Sequence, residues 1–343
     1  MIFNKNSNGD SELKQLLGFI GASVEFKNIV HFIPIGEREL IPTISKAVYQ
    51  LANDHYTSSA YETPITPDPE LVLEEGEQDP EVARKLLDDL VHLIQLPLAL
   101  HAYRRYVPSG DLSHSDAGRQ IHVTESEKPA FEWMIDKDDL NMLNLAYEHT
   151  EILLDFLNEN KFEAWTSSDQ YVQSKSLFIT STGQFHNIIG INNSARVYFS
   201  FVPLMKKVER DIIASCFKAD KYKEIKDQMK GTEDIPEDNK TLISLACEPV
   251  AYFTIAEAVK KFNLEFLPEG IFQNEKTGII NGKKAASTMD RFQASQFYSR
   301  EGMLQLSKLQ KEIAKQNNVV TGSVDVIANM TDRMSADKKY LSF

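Results

Sequence analysis

The sequence predicts a mainly α-helical chain: two tandem, structurally similar helical-bundle domains, each with a small β-hairpin insert. Three observations carry that expectation. Apolar residues recur at helical spacing over most of the chain, strand-like alternation is confined to short glycine-bracketed stretches, and a set of landmarks repeats in the same order about 160 residues later. The length agrees, since 343 residues exceed the roughly 250–300 at which a single core stops growing.

Within the first half, Ile41, Ile44, Val48, Leu51 and Ala52 form the stripe of an amphipathic helix. Pro42 is expected in its first turn, where a missing N–H costs nothing. An acidic loop is expected over 57–80. No Lys or Arg lies between Lys46 and Arg84, and Pro64, Pro67, Pro69 and Pro80 deny the backbone both a helix and a ladder donor. A second helix is expected from Pro80 to Tyr106, through Leu86, Leu87, Leu90, Val91, Ile94, Leu98 and Ala102. It is apolar on most faces and so belongs in the centre, with a kink at Pro97. Gln120 to Thr124 then alternates polar and apolar residues, and Gly110 and Gly118 bracket a polar tip, the pattern of a hairpin over 110–124. A helix over 138–160, carrying Leu140, Leu143, Tyr147, Leu153, Leu154 and Leu157, closes a first domain of residues 11–165.

The second half repeats these landmarks. Phe19 to Ile29 aligns with Phe178 to Ile188. Pro42 aligns with Pro203, expected at the head of a helix bearing Met205, Val208, Ile212 and Cys216. Ala102 and Tyr106 match Ala258 and Phe262, and Pro108, Gly110 and Leu112 match Pro268, Gly270 and Phe272. The separations are 159, 161, 156 and 160 residues. A second domain of residues 170–320 follows, with a hairpin over 270–282 and a last helix over 285–317, and residues 321–343 remain as a C-terminal arm. Two unrelated helical domains with similar loops are the competing explanation.

Charge and composition exclude several functions. With 37 basic and 50 acidic residues the net charge is −13, opposite to what phosphate-backbone binding or an anionic membrane surface requires. Met1 to Ser11 lacks the apolar centre of a signal peptide, and no apolar run approaches the ~20 residues of a membrane span. Cys216 and Cys247 are too few for a disulfide framework or a cysteine-ligated metal. They read as small hydrophobes in a soluble protein of a reducing compartment. The eight histidines make no His-Glu-x-x-His, and neither a P-loop nor a Gly-x-Ser-x-Gly elbow is present. His92 and His101 read as core or boundary histidines of the central helix. Trp165 falls between the halves, where a large aromatic can staple one to the other. The expectation is therefore no catalytic residue, no cofactor and no metal: not an enzyme.

The run Phe19-Ile20 through Ile29, Pro97-Leu98-Ala99, the Tyr106-Val107-Pro108 turn, Phe178-Ile179-Thr180, Phe185 and Pro203 resemble a family of uncharacterised proteins. Their genes lie in prophages and phage genomes, in the block for virion assembly. The resemblance implies a virion structural protein similar to head–tail connector (adaptor or neck) proteins, which stack as a ring beneath the portal. It implies assembly in the host cytoplasm, and contacts with further copies and with portal and tail proteins. DNA would pass through the lumen without sequence-specific binding. It carries over no active-site residue. On this reading Glu74, Glu75 and Glu77 of the acidic loop face the lumen or a gasket. Ile121, Val123 and Ile279 lie on hairpins whose edges extend a neighbour's sheet. Tyr340, Leu341 and Phe343 end an arm that locks onto an adjacent subunit. Two alternatives stand beside it: a helical binding module or assembly chaperone that presents a groove, and an enzyme without a local motif, marked by a pocket lined by His92, His101 and carboxylates.

Overall fold

The computed structural model describes residues 1–21, 24–61, 79–110, 112–115, 118–121, 131–230, 234–261, 273–277, 280–284 and 288–317. In the first half these form α1 (Gly9–Leu16), α2 (Ile33–Ile44), α3 (Lys46–Thr57), α4 (Pro80–Gly110), strands β1 (Leu112–Ser115) and β2 (Gly118–Ile121), and α5 (Glu132–Asn160). Short helical turns bridge to α6 (Ala195–Val208), α7 (Ala219–Lys230), α8 (Glu237–Lys261), β3 (Gln273–Thr277), β4 (Ile280–Lys284) and α9 (Thr288–Gln316). The protein is mainly α, a helical bundle with two hydrophobic cores, one from residues between Ile2 and Trp165 together with Ala195, the other from residues between Leu177 and Leu309.

In the first half α4 is the hub, packed by α2, α3 and α5. Its middle stretch from Leu90 to Ala102 is almost wholly buried, which explains why it is apolar on most faces and not on one stripe. It continues past both Pro97 and Pro108 to Gly110. Gly36 lets α2 approach closely: a Cβ there would stand 2.9 Å from Leu98 Cδ1 and 3.0 Å from the Leu98 carbonyl oxygen. The N-terminus joins this core, because Ile2 and Phe3 are buried and Gln95 Nε2 donates to the Ile2 carbonyl at 2.8 Å.

The expected helix through Ile41 and Ala52 is in fact two. Pro42 lies near the end of α2, not in a first turn, and the chain breaks at Ser45 (φ 76°, ψ 152°) before α3 begins. A serine with positive φ is strained, but its Oγ accepts the Val48 N–H at 3.3 Å and caps α3. The apolar stripe runs unbroken across this junction, so periodicity alone joins the two helices. Pro203 is likewise internal to α6 and does not head it. The helix expected from 138 starts earlier, at Glu132; the apolar residues of its first turns are exposed and do not follow the core stripe, so the periodicity does not mark this start.

In the second half α8 is the hub, packed chiefly by α9 and α6. Gly302 on α9 meets the Phe253 ring of α8 so closely that a Cβ would lie 3.0 Å from it. The α8 helix has the length and hydropathy of a membrane span, contrary to the sequence expectation, yet 61% of that window is buried inside the protein, as for a core helix. Helix α6 runs into a π turn, Glu209–Ile213, whose first residue is buried. Glu209 forms an ion pair of 2.5 Å with Lys226 of α7, and it accepts the Phe178 N–H at 2.6 Å. Lys226 also donates to the Ser176 carbonyl at 3.0 Å and sits 3.8 Å from the Phe178 ring centre. Burial pushes the Glu209 carboxyl up and the Lys226 ammonium down, each opposed by its partner. Cys216 and Cys247 are free thiols; burial raises both, Cys247 to about 12.

Backbone ladders pair β1 antiparallel to β2, with Leu112 opposite Ile121, and β3 antiparallel to β4, with Thr277 opposite Ile280. Of the predicted interface positions, only the backbone of Ile121 falls within the described residues. Glu74, Glu75, Glu77, Val123, Ile279, Tyr340, Leu341 and Phe343 lie outside them, as do most of the acidic loop and the C-terminal arm.

Truncating one member of a buried pair leaves the other charge uncompensated, at a cost of about 3–5 kcal/mol. Lys226→Met is expected to lower stability by that order in urea unfolding, and adding Glu209→Gln to restore part of the loss.

Candidate functional site

A cleft of about 560 Å³ opens where α2, α4 and α5 of the first half meet the start of α6. Helical spacing aims its walls. On α4, His101, Arg104 and Arg105 are three and four residues apart; on α5, Leu143, Tyr147 and Thr150 follow the same rule; on α6, so do Arg196, Phe199 and Ser200. Glu39, Leu40 and Thr43 of α2 complete the wall, and Gln170 reaches across it to donate from Nε2 to the Pro42 carbonyl at 3.0 Å.

Glu39 organises one side. Its Oε1 accepts from Arg105 Nη2 at 2.5 Å and from Nε at 3.1 Å. Its Oε2 lies 2.9 Å from His101 Nδ1, close enough to pair but not aligned for a hydrogen bond. His101 is buried, and desolvation lowers its pKa from the ordinary 6.5; Glu39 opposes this, while Arg104 and Arg105 add to it. On the other side the Arg196 guanidinium lies 3.9 Å from the centre of the Tyr147 ring. The Nε atoms of Arg104 and Arg196 are buried and have no hydrogen-bond partner.

The cleft exists because the two halves are clamped beside it. Glu151 of α5 caps α6: it accepts from Ser194 Oγ at 2.5 Å, from the Ala195 N–H at 2.6 Å and from the Arg196 N–H at 3.2 Å. These are free donors of a helix N-terminus, where a carboxylate is favoured. Below them Trp165, fully buried, meets Phe199 edge-on at 5.4 Å, and its Nε1 donates to Asn158 Oδ1 at 3.1 Å. Phe199 packs against both cores.

His101 thus sits in the cleft wall, but His92 does not; it is exposed and packs near Tyr61 instead. Sequence reasoning missed Arg104, Arg105, Arg196 and Glu39, and placed Tyr147 only on the apolar stripe of its helix. The available signal was a run of basic residues on one face of an otherwise apolar helix. Its partners are remote in sequence and carry no motif. Among the described residues no three His, Cys, Asp or Glu side chains converge as a metal centre would require.

The sequence pattern of a family of unknown function (DUF6712) matches residues 40–175 and 212–316, together most of the chain. No curated protein and no solved structure matches.

Two outcomes follow from the geometry. Glu151→Ala leaves N-terminal donors of α6 unpaired and is expected to cost about 1–3 kcal/mol, read by urea unfolding. His101 binds its proton less readily in the native state than in the unfolded chain, so its contribution to stability is present above pH 6.5 and is lost as pH falls from there towards the lowered native value. Stability measured from pH 8 to pH 5 is expected to fall less steeply in His101→Gln than in the parent.

Proposed function

Starting from the fact that the chain belongs to the DUF6712 family, we propose that it is an assembly protein: a non-catalytic adaptor of two tandem helical units, each with a β-ribbon insert, which packs with further copies as a ring in a phage head–tail connector. The observation that carries this reading is exposed apolar surface on the last long helix of each half. Phe131, Trp133, Met134, Ile135 and Leu140 are exposed at the start of α5, and Met289, Phe292, Phe297 and Leu304 are exposed on α9. Trp133 is 55% and Phe297 59% exposed. Monomeric proteins rarely display such clusters unless a partner covers them.

The element order supports the tandem unit. A helix with an internal proline (Pro42, Pro203) is followed, after one further helix (α3, α7), by a hub helix carrying a buried Pro-aliphatic-Ala triplet (Pro97-Leu98-Ala99, Pro249-Val250-Ala251), then a two-stranded ladder and a long helix paired with the hub. The copies have diverged. Phe26 and Phe185 both lie in their cores, but Phe178 is 2% exposed where its counterpart Phe19 is 59% exposed. The resemblance to virion-assembly proteins supplies the portal and tail as neighbours, and a net charge of −13 suits a wall past which DNA slides without being gripped.

Size-exclusion chromatography with light scattering tests the reading. The parent is expected as an oligomer, and Trp133→Asp with Phe297→Asp as a monomer of unchanged helicity. A parent that stays monomeric at high concentration, with and without portal protein, overturns it.

A further inference from the structure

The cleft between the halves reverses the charge of the molecule around it. The chain carries −13, but the cleft wall brings together Arg104, Arg105 and Arg196 against a single carboxylate, Glu39. Glu39 is already engaged by Arg105. Arg104 and Arg196 are left with no carboxylate, and each keeps a buried Nε–H without an acceptor. Native proteins seldom leave such donors unmet, because a buried unsatisfied polar group costs about 1–3 kcal/mol and more when charged. The two come from different halves, α4 and α6, and Arg196 is held in plane by the Tyr147 ring at 3.9 Å. Guanidinium forks on two walls, one of them stacked on a ring, can receive a tetrahedral oxyanion through paired N–H···O bonds.

We infer that this cleft binds a phosphorylated small molecule, with the phosphate between Arg104 and Arg196 and an apolar body against Leu143 and Phe199. The volume supports the body as well as the phosphate. About 560 Å³ falls in the range of pockets that enclose small organic ligands and exceeds what a bare phosphate fills. Apolar and cationic groups share the lining, as an amphipathic phosphomonoester requires. Because both halves supply a guanidinium, the bound ligand bridges them and stabilises their joint. The site uses none of the exposed apolar residues of α5 and α9, so its failure and that of the assembly reading are separate results.

Isothermal titration with phenyl phosphate and with inorganic phosphate, at matched ionic strength in chloride, tests this on the full chain. Phenyl phosphate is expected to bind more tightly than inorganic phosphate, because its ring replaces water on Phe199, and to raise the unfolding midpoint in proportion to its occupancy. Arg104→Gln and Arg196→Gln are each expected to weaken binding by about tenfold or more, the worth of one charge-assisted contact. Arg105→Gln, which removes a group already held by Glu39, is expected to change it far less. Arg104→Lys keeps the charge but loses the fork, and is expected to fall between the parent and Arg104→Gln; circular dichroism confirms that each variant is folded. No binding heat beyond the chloride control overturns the inference. So does equal affinity for the two phosphates, or affinity in the folded Arg104→Gln and Arg196→Gln variants equal to the parent's.

Discussion

At the head of α6 a serine hydroxyl and two backbone N–H groups converge on one carboxylate, Glu151, supplied by the other half of the chain. A helix N-terminus must find acceptors for its first donors, and its dipole favours an anion there. Here Ser194 Oγ accepts the Val197 N–H from within the second half, while the Ala195 and Arg196 N–H groups are met across the joint. Tyr147 and Glu151 lie one turn apart on α5, so the same face of α5 that caps the backbone of α6 also stacks on the Arg196 side chain. The polar clamp is backed by the Trp165–Phe199 contact, which places an aromatic ring of the second half against the core of the first. The cleft is the space left over beside this joint, and its lining follows from where the joint sets α6.

Each half solves its packing problem differently around the same kind of hub. In the first half the close approach is made by α2, through Gly36 against Leu98; in the second it is made by α9, through Gly302 against Phe253. The second core also contains a charged element, the Glu209–Lys226 pair, whose remaining hydrogen bonds tie the chain at Ser176 and Phe178 to the π turn after α6. A buried pair of this kind adds little net stability over an apolar substitute, but it penalises every arrangement in which the partners are apart. It fixes the segment that enters the second half, and with it the position of α6 at the cleft.

Much of the helical architecture was legible because burial writes itself into spacing. The hub α4 stands out as a helix that is apolar nearly all round, since neighbours cover most of its faces. The break at Ser45 was not legible: the stripe from Ile41 to Ala52 stays in phase while the backbone takes φ 76°, so the local spacing does not mark the turn. The first turns of α5 were missed for the opposite reason. Trp133, Met134 and Ile135 are apolar but face outward, so they break the period that marks a helix on a core. His101 drew notice as a residue of the hub but was read as core, because its significance depends on Glu39, which lies 62 positions earlier.

The sequence by itself determined the helical class, the hub helix of the first half and the acidic balance of the chain, because these depend on local spacing and on sums over composition. Tertiary structure alone decided where the halves touch, which arginines are left unpaired, and that an acidic molecule folds around a cationic cleft. Those features arise from contacts such as Glu151 with Ala195 and Glu39 with Arg105, between residues far apart in the chain. Neither composition nor period records such pairings, since each is set by the angle at which packed helices meet.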